Sequence, residues 1–175
     1  MPESAGATIV LTGMMGAGKS SVGRALADRT GWPYMDNDEL VLAATGRAPE
    51  AIDAVDGPDA LHAAEAAALR HALAVPPPLI AGAAAWVVVD PASRSLLQEA
   101  AKVVYLRAHP ETLLARIGGG AGRRDDATDL AWLRARFIER DELYRETATL
   151  TVDTDEASVE SVAAVILEAL GAEGT

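Results

Sequence analysis

Eight consecutive residues, Gly13-Met14-Met15-Gly16-Ala17-Gly18-Lys19-Ser20, meet every fixed position of the phosphate-binding pattern G-x-x-x-x-G-K-[ST]. That pattern requires a strand in front of the loop and a helix behind it. The flanks supply both: Thr8-Ile9-Val10-Leu11 is a short, β-branched apolar run, and Ser21 to Ala27 can wind into a helix. The glycines permit left-handed backbone angles, so successive N–H groups can turn inward around a polyphosphate. The following helix adds its unpaired first-turn amides and the positive end of its dipole. Lys19 supplies a mobile point charge for the β- and γ-phosphates, and Ser20 a hydroxyl for Mg²⁺. A Gly-rich turn matching by chance is a poor account, because the chain has two lysines, Lys19 and Lys102, and one falls on the required position. The sequence therefore reads as a nucleotide binder.

Composition narrows the class. At 175 residues the chain is expected to form a single domain, 1–175, with room for a sizeable core. Only seven residues are aromatic (three Trp, three Tyr, one Phe), so Ala, Val, Leu and Ile must build that core. A net charge of −11 argues against nucleic acid, which needs a broad basic surface. Anionic ligands must then be held by local positive sites. The lack of cysteine excludes disulfides and cysteine nucleophiles. The uncharged run Ala72 to Val89 is broken by Pro76-Pro77-Pro78 and Gly82, so it reads as a helix end, a turn and a strand, with no membrane partner. No targeting segment is apparent in Met1-Pro2-Glu3-Ser4, and a cytoplasmic, monomeric protein is the expectation.

Along the chain, Trp32 to Met35 reads as a second strand leading into Asp36-Asn37-Asp38. Carboxylates just past a strand's carboxyl end lie where open parallel sheets bind ligands, although Asp38 could equally cap a helix from Glu39 to Thr45. Pro49 to Leu73 is Ala-rich and interrupted at Asp56-Gly57-Pro58, which predicts two helices capping one side of the site. Leu79 to Ala81 and Val103 to Leu106 are further strands, with Trp86 to Val89 a strand or buried loop. Helices are expected over Pro91–Ala100, His109–Arg116, Asp129–Thr147 and Ser158–Leu170, with a last strand at Leu150–Asp153. The run Gly118 to Gly122 followed by Arg123 and Arg124 suits a lid, about 117–128. Alternation of strands and helices predicts an α/β fold with a parallel sheet covered on both faces.

The loop 13–20, the pair Asp36 and Asp38, the strand Val103 to Leu106, the lid arginines and the run Arg140-Asp141-Glu142-Leu143-Tyr144 leading to Val152-Asp153-Thr154 together resemble a shikimate kinase. The resemblance spans Ile9 to about Leu170. It implies a five-stranded parallel sheet flanked by helices, of the P-loop nucleoside-monophosphate-kinase type, using ATP and Mg²⁺ to phosphorylate a small hydroxylated acceptor. By position it implies that Gly16, Ala17, Gly18, Lys19, Ser20 and Ser21 hold the nucleotide's phosphates, with Arg116 stacked on adenine. Ser20 and Asp36 then serve the metal. Asp38 matches the carboxylate that meets the acceptor hydroxyl and takes its proton, Arg123 the lid arginine on the transferring phosphate, and Arg140 an arginine gripping the acceptor's carboxylate. The acceptor-side helices would run over about 38–73.

Two departures from the family pattern fall in the acceptor pocket. In Gly57-Pro58-Asp59-Ala60-Leu61-His62-Ala63-Ala64-Glu65, His62 takes the place of a carboxylate-clamping arginine, so a bidentate fork becomes a ring mostly neutral at pH 7. A plain polar residue on a surface helix is the bland alternative for His62. A three-glycine run after the third strand becomes Ala83-Ala84-Ala85, which sets three methyl groups, including that of Ala84, against the acceptor. Trp86 adds bulk, and Arg124 replaces a proline in the lid. The donor half is intact and the acceptor half rewritten, which points to a kinase for an acceptor other than shikimate. Shikimate phosphorylation by an atypical pocket and an inactive nucleotide-binding module stay open at this stage. A motor ATPase lacks its carboxylate after Leu79–Gly82, and a metalloenzyme on His62, His71 and His109 lacks ligand-like spacing.

Overall fold

A computed structural model of the chain describes residues 6–118 and 129–171. Its five strands are β1 (Thr8–Thr12), β2 (Tyr34–Asp36), β3 (Leu79–Gly82), β4 (Lys102–Arg107) and β5 (Leu150–Asp153). They form one sheet in the order β2-β3-β1-β4-β5, every pairing parallel, with Ile9 beside Ile80 on one side and beside Lys102 on the other. Among the described residues the helices are α1 (Lys19–Thr30), α2 (Asn37–Thr45), α3 (Pro49–Asp56), α4 (Pro58–Leu73), α5 (Pro91–Ala100), α6 (Pro110–Ile117), α7 (Leu130–Thr147) and α8 (Val159–Leu170).

Local chemistry explains most of these boundaries. Four helices, α3 to α6, open on proline, whose missing N–H is one the first turn leaves unbonded anyway. Asp90, Asp129 and Ser158 cap α5, α7 and α8 by accepting from first-turn amides. The β1 run is buried on both sides, as a central parallel strand must be. Ile9 and Leu11 pack with Val22 and Leu26 of α1 and Ile166 of α8. Val10, between them, faces the opposite layer with Leu69 of α4 and Leu97 of α5. A smaller cluster of Val41, Ile52, Leu61 and Ala68 ties α2, α3 and α4 into the cap over the acceptor side.

Three local expectations are corrected. The second strand begins at Tyr34 and ends on Asp36 rather than running Trp32 to Met35. Pro33 has no N–H to give the sheet, and only its carbonyl joins, accepting from Ile80. The next helix starts at Asn37, and its cap is Asp36, whose side chain accepts from the Asp38 amide. Asp38 is therefore a first-turn residue and not the cap. Finally, of the two readings for Trp86 to Val89, the strand is excluded and the buried loop holds: Ala85–Val88 is a short 3₁₀ turn with Val87 and Val88 buried. The lid residues 119–128, Arg123 and Arg124 included, lie outside the described residues, while Ile117 at its expected edge belongs to α6 and is buried.

Candidate active site

The carboxyl ends of β1, β2 and β3 open into one cleft of about 840 Å³, lined at one end by the 14–22 loop and helix and at the other by α2, α3, α4 and the 83–86 segment. Open parallel sheets bind ligands at this edge. Gly16 and Gly18 hold φ of 85° and 100°, which L side chains rarely adopt. Gly18 leads directly into α1 without a side-chain cap, so among the described residues no capping side chain occupies its first-turn amides. Lys19 folds back so that Nζ donates to the carbonyls of Gly13 (2.6 Å) and Met14 (3.1 Å). This cradle fits a polyphosphate.

Beneath the loop, the Ser20 hydroxyl donates to Asp36 Oδ2 at 2.7 Å, and Tyr34 Oη donates to the same oxygen at 2.8 Å. Burial pushes the Asp36 carboxyl up, but the hydrogen bonds from Ser20, Tyr34 and the Asp38 amide outweigh it and hold the group below the usual aspartate range. Burial first, then the Asp36 charge, raises the Tyr34 phenol, so Tyr34 stays a neutral donor. A hydroxyl touching a fixed carboxylate suits a hydrated divalent cation. Tyr34 is positioned by two glycines: a Cβ on Gly23 would meet its ring at 2.3 Å, and one on Gly82 its hydroxyl at 2.8 Å.

Arg116 spans the nucleotide end. Its guanidinium donates to the Gly16 and Ala17 carbonyls at 3.4 Å, to Thr154 Oγ1 at 3.2 Å and to the Thr154 carbonyl at 2.6 Å, tying α6 to the loop and to the turn after β5. Ala157, Ser158 and Val159 continue that wall.

The acceptor end is built differently. Asp38 is exposed in the cleft and accepts from Asn37 Nδ2 at 3.2 Å. Ala83 and Ala84 are buried, and Ala84 sits at φ −63°, an ordinary extended conformation. His62 is no plain surface residue: its ring lies parallel to that of Trp86, 4.0 Å between centroids and 5° between planes, and both line the cleft. Tyr144 of α7 donates to the Ala85 carbonyl at 2.6 Å and fixes the segment carrying Trp86. Arg140, one turn earlier on α7, lines the cleft with a buried Nε that has no hydrogen-bond partner among the described residues. Arg136 points elsewhere, pairing with Glu139 over the Trp132 ring.

The structure thus brings together Gly16, Ala17, Gly18, Lys19, Ser20, Ser21, Asp36, Asp38, His62, Ala84, Arg116 and Arg140. It adds residues to which the sequence reading gave no site role: Tyr34, Glu50, Asp53, Glu65 and Tyr144. Glu50 and Asp53 stand three residues apart on α3, a spacing that puts two carboxylates on one helix face and was available as a signal.

A family model described as shikimate kinase matches residues 15–171. The chain belongs to the shikimate kinase family. It is 37% identical over 170 residues to a shikimate kinase of Symbiobacterium thermophilum, covering 95% of this chain and 97% of that protein. A shikimate kinase of Neisseria meningitidis serogroup C is 34% identical over 148 residues, 83% and 86% of the two chains. Among solved structures, a shikimate kinase from Acinetobacter baumannii in complex with shikimate superposes with a TM-score of 0.85 at 27% identity, covering 94% and 93%. Membership of this family of kinases makes the chain a small-molecule kinase that uses ATP and Mg²⁺ to phosphorylate a hydroxyl. Among the described residues no helix is long and apolar enough to cross a membrane.

Proposed function

We propose that this kinase phosphorylates a small hydroxylated metabolite other than shikimate. The observation that carries the reading is the His62–Trp86 stack, which fills the position where the family pattern has a carboxylate-clamping arginine. A stacked imidazole cannot offer the two parallel N–H groups of a guanidinium. Arg140 is then the one fixed cation lining the acceptor end among the described residues.

The reaction needs little covalent help from the protein. The acceptor oxygen attacks the γ-phosphorus of ATP, the bond from that phosphorus to the β–γ bridging oxygen breaks, ADP leaves, and the hydroxyl proton passes to the Asp38 carboxylate. Catalysis is positioning and charge stabilisation. Lys19 and the loop amides hold the β- and γ-phosphates, Arg116 flanks the adenine, and Ser20 and Asp36 hold Mg²⁺, which neutralises phosphate charge when bound. Arg123, outside the described residues, carries the role the sequence implies, a second cation on the transferring group.

Phosphorylation of shikimate itself is the second reading. It is favoured by the open Arg140 Nε and by relatives named shikimate kinase. ATP consumption by the purified protein with Mg²⁺, with shikimate against a panel of hydroxylated acids, amino acids, sugars and nucleosides, separates the two. Shikimate at background with another compound turned over supports the proposal. Shikimate turnover at a kcat within roughly 1–100 s⁻¹ defeats it.

A further inference from the structure

Helix α7 carries Arg140, yet its apolar contacts are sparse. Of its 18 residues Leu133, Tyr144 and Thr147 are buried, with Trp132, Phe137 and Leu143 partly buried beside them. A stripe that thin leaves the roll of a helix about its own axis weakly fixed. A roll of about 20° carries a group about 6 Å from the axis through about 2 Å, enough to break a hydrogen bond. Polar ties supply what the packing lacks. Tyr105 and Arg107 stand two apart on β4, so both side chains leave the sheet on one face, and both meet the Asp141 carboxylate of α7. Its Oδ1 accepts from Tyr105 Oη at 2.8 Å and from Arg107 Nε at 2.9 Å. Its Oδ2 accepts from Arg107 Nη2 at 3.5 Å and lies 3.3 Å from Arg145 Nε. Arg107 is held from two further sides, with Nη1 3.4 Å from Asp153 and the guanidinium 5.0 Å from the centre of the Phe137 ring. The Tyr105 ring in turn stacks on Tyr144 at 4.7 Å.

From this network we infer that Asp141 is a positioning residue for the acceptor: it sets the roll of α7 against β4, and so holds Arg140 in the cleft and Tyr144 on the Ala85 carbonyl. The inference rests on the reading that Arg140 meets the acceptor, whichever compound that is. Asp141 is not among the described residues that line the cleft, so it acts through its neighbours. Arg140 precedes it by one residue and Tyr144 follows it by three, which places all three within about 100° of arc on the helix. Turning Asp141 away from Tyr105 and Arg107 therefore turns the other two. Arg140 depends on this most. Its Nε–H is buried with no hydrogen-bond partner among the described residues, so no such bond aims that side of the guanidinium, and its direction is inherited from the helix. A carboxylate suits the task, because two oxygens can take donors from two β4 residues at once and charge-assisted bonds are the stronger kind. The side chains of Asp141 and Arg107 are 19% and 14% exposed, which shields the pair from water and salt. By contrast, Arg134 and Glu111, which tie α7 to α6, are each 57% exposed, and such a surface pair fixes little.

Two measurements on the full chain test this. The first needs no ligand: hydrogen exchange at the Arg140 Nε–H is followed by proton–nitrogen NMR, the signal being assigned by its loss in Arg140→Lys. Asp141→Ala should speed that exchange about tenfold or more, and Asp141→Asn less, because an amide keeps one acceptor oxygen. Arg134→Ala, which removes the exposed tie, should stay within about twofold. The second measures KM for ATP and for the acceptor, with shikimate, gluconate, myo-inositol and homoserine as probes and the kinetics taken on whichever is turned over. Asp141→Ala should raise the acceptor KM about tenfold and the KM for ATP less than about twofold. Placed on Arg140→Lys, the same change should add less than about twofold to the acceptor KM, since Asp141 acts through Arg140. Tyr105→Phe keeps the ring stack and removes one donor, and should show the same split at about threefold even where Asp141→Ala does not fold. Unchanged Nε–H exchange in Asp141→Ala overturns the inference, and so does a rise shared equally by the two KM values. Where none of the four probes is turned over, the exchange result alone decides. An acceptor KM that ignores Arg140→Lys defeats the underlying reading of Arg140 instead.

Discussion

The two ends of the cleft are held in place by different means. At the donor end, the positions are set by backbone. Glycines with positive φ, an uncapped helix start and carbonyls that take Lys19 and Arg116 place each group. The side chains there are paired to one another, as in Ser20 and Tyr34 on Asp36. At the acceptor end the cleft is lined by side chains of α2, α3 and α4, which share a satellite core, by Arg140 of α7, and by the 83–86 segment, whose Ala85 carbonyl accepts from Tyr144. Phosphate chemistry tolerates few substitutions at the first end. The second can be rebuilt residue by residue without disturbing the sheet, and on the proposed reading this is how the chain keeps its family's donor while changing what it phosphorylates.

The sharpest way to break the contrast is at Lys19. Lys19→Ala should lower kcat with any accepted substrate by about a hundredfold or more while the thermal midpoint stays within a few degrees, because Nζ is tied to the Gly13 and Met14 carbonyls of the loop itself. A loss below about tenfold would show that the loop amides alone carry the donor end.

Gly23→Ala probes the same end through packing. The new methyl group would lie 2.3 Å from the Tyr34 ring, so Tyr34 must move and its hydrogen bond to Asp36 with it. Urea denaturation should show a loss of about 1–3 kcal/mol, with a raised Mg²⁺ requirement. Unchanged Mg²⁺ dependence would mean that Tyr34 does not position Asp36.

At the acceptor end, Tyr144→Phe leaves the Ala85 carbonyl without its hydroxyl donor and should cost about 1–2 kcal/mol of stability. The KM for the acceptor should rise more than the KM for ATP. Equal changes in both would deny that this bond serves the acceptor segment specifically.

The smallest effect lies beyond Arg116, at the start of α6. Asp155 accepts from the His109 amide (2.9 Å), the His109 ring (2.9 Å) and Thr112 Oγ1 (2.7 Å). Burial alone would raise its carboxyl, yet the Thr112 and His109 bonds bring it down to about 2. A depressed carboxylate stabilises the fold above its ordinary pKa, and that contribution disappears as pH falls through the depressed value. Asp155→Asn should therefore cost about 1 kcal/mol at pH 7, and the gap to the unmodified protein should close between roughly pH 4 and pH 2. A gap constant with pH would assign the effect to packing.

How far the sequence could be read follows the same division. The phosphate loop and its flanks were legible because each fixed position has one chemical reason. The helix starts at Pro49, Pro58, Pro91 and Pro110 were legible because proline punctuates the chain there. Asp36 as helix cap was not. A strand running directly into a helix, with no loop between them, moves the cap back onto the strand's last residue. The departure at His62 could be seen, but its stacking on Trp86 could not, since it depends on how α4 packs beside the 3₁₀ turn. Glu65 and Tyr144 stood in the motifs that carry the resemblance without a role of their own, and helical spacing on α3 was the advance sign of Asp53; their placement is tertiary.

The most direct measurement is isothermal titration of shikimate into the protein loaded with Mg²⁺ and ADP. With His62 stacked on Trp86 in place of a second guanidinium, no saturable heat should appear below about 1 mM, and His62→Arg should bring binding into range. A Kd near 10 μM for the unmodified protein, about 2.7 kcal/mol tighter than that limit, would show that Arg140 and the remaining pocket hold the carboxylate unaided and would contradict the account.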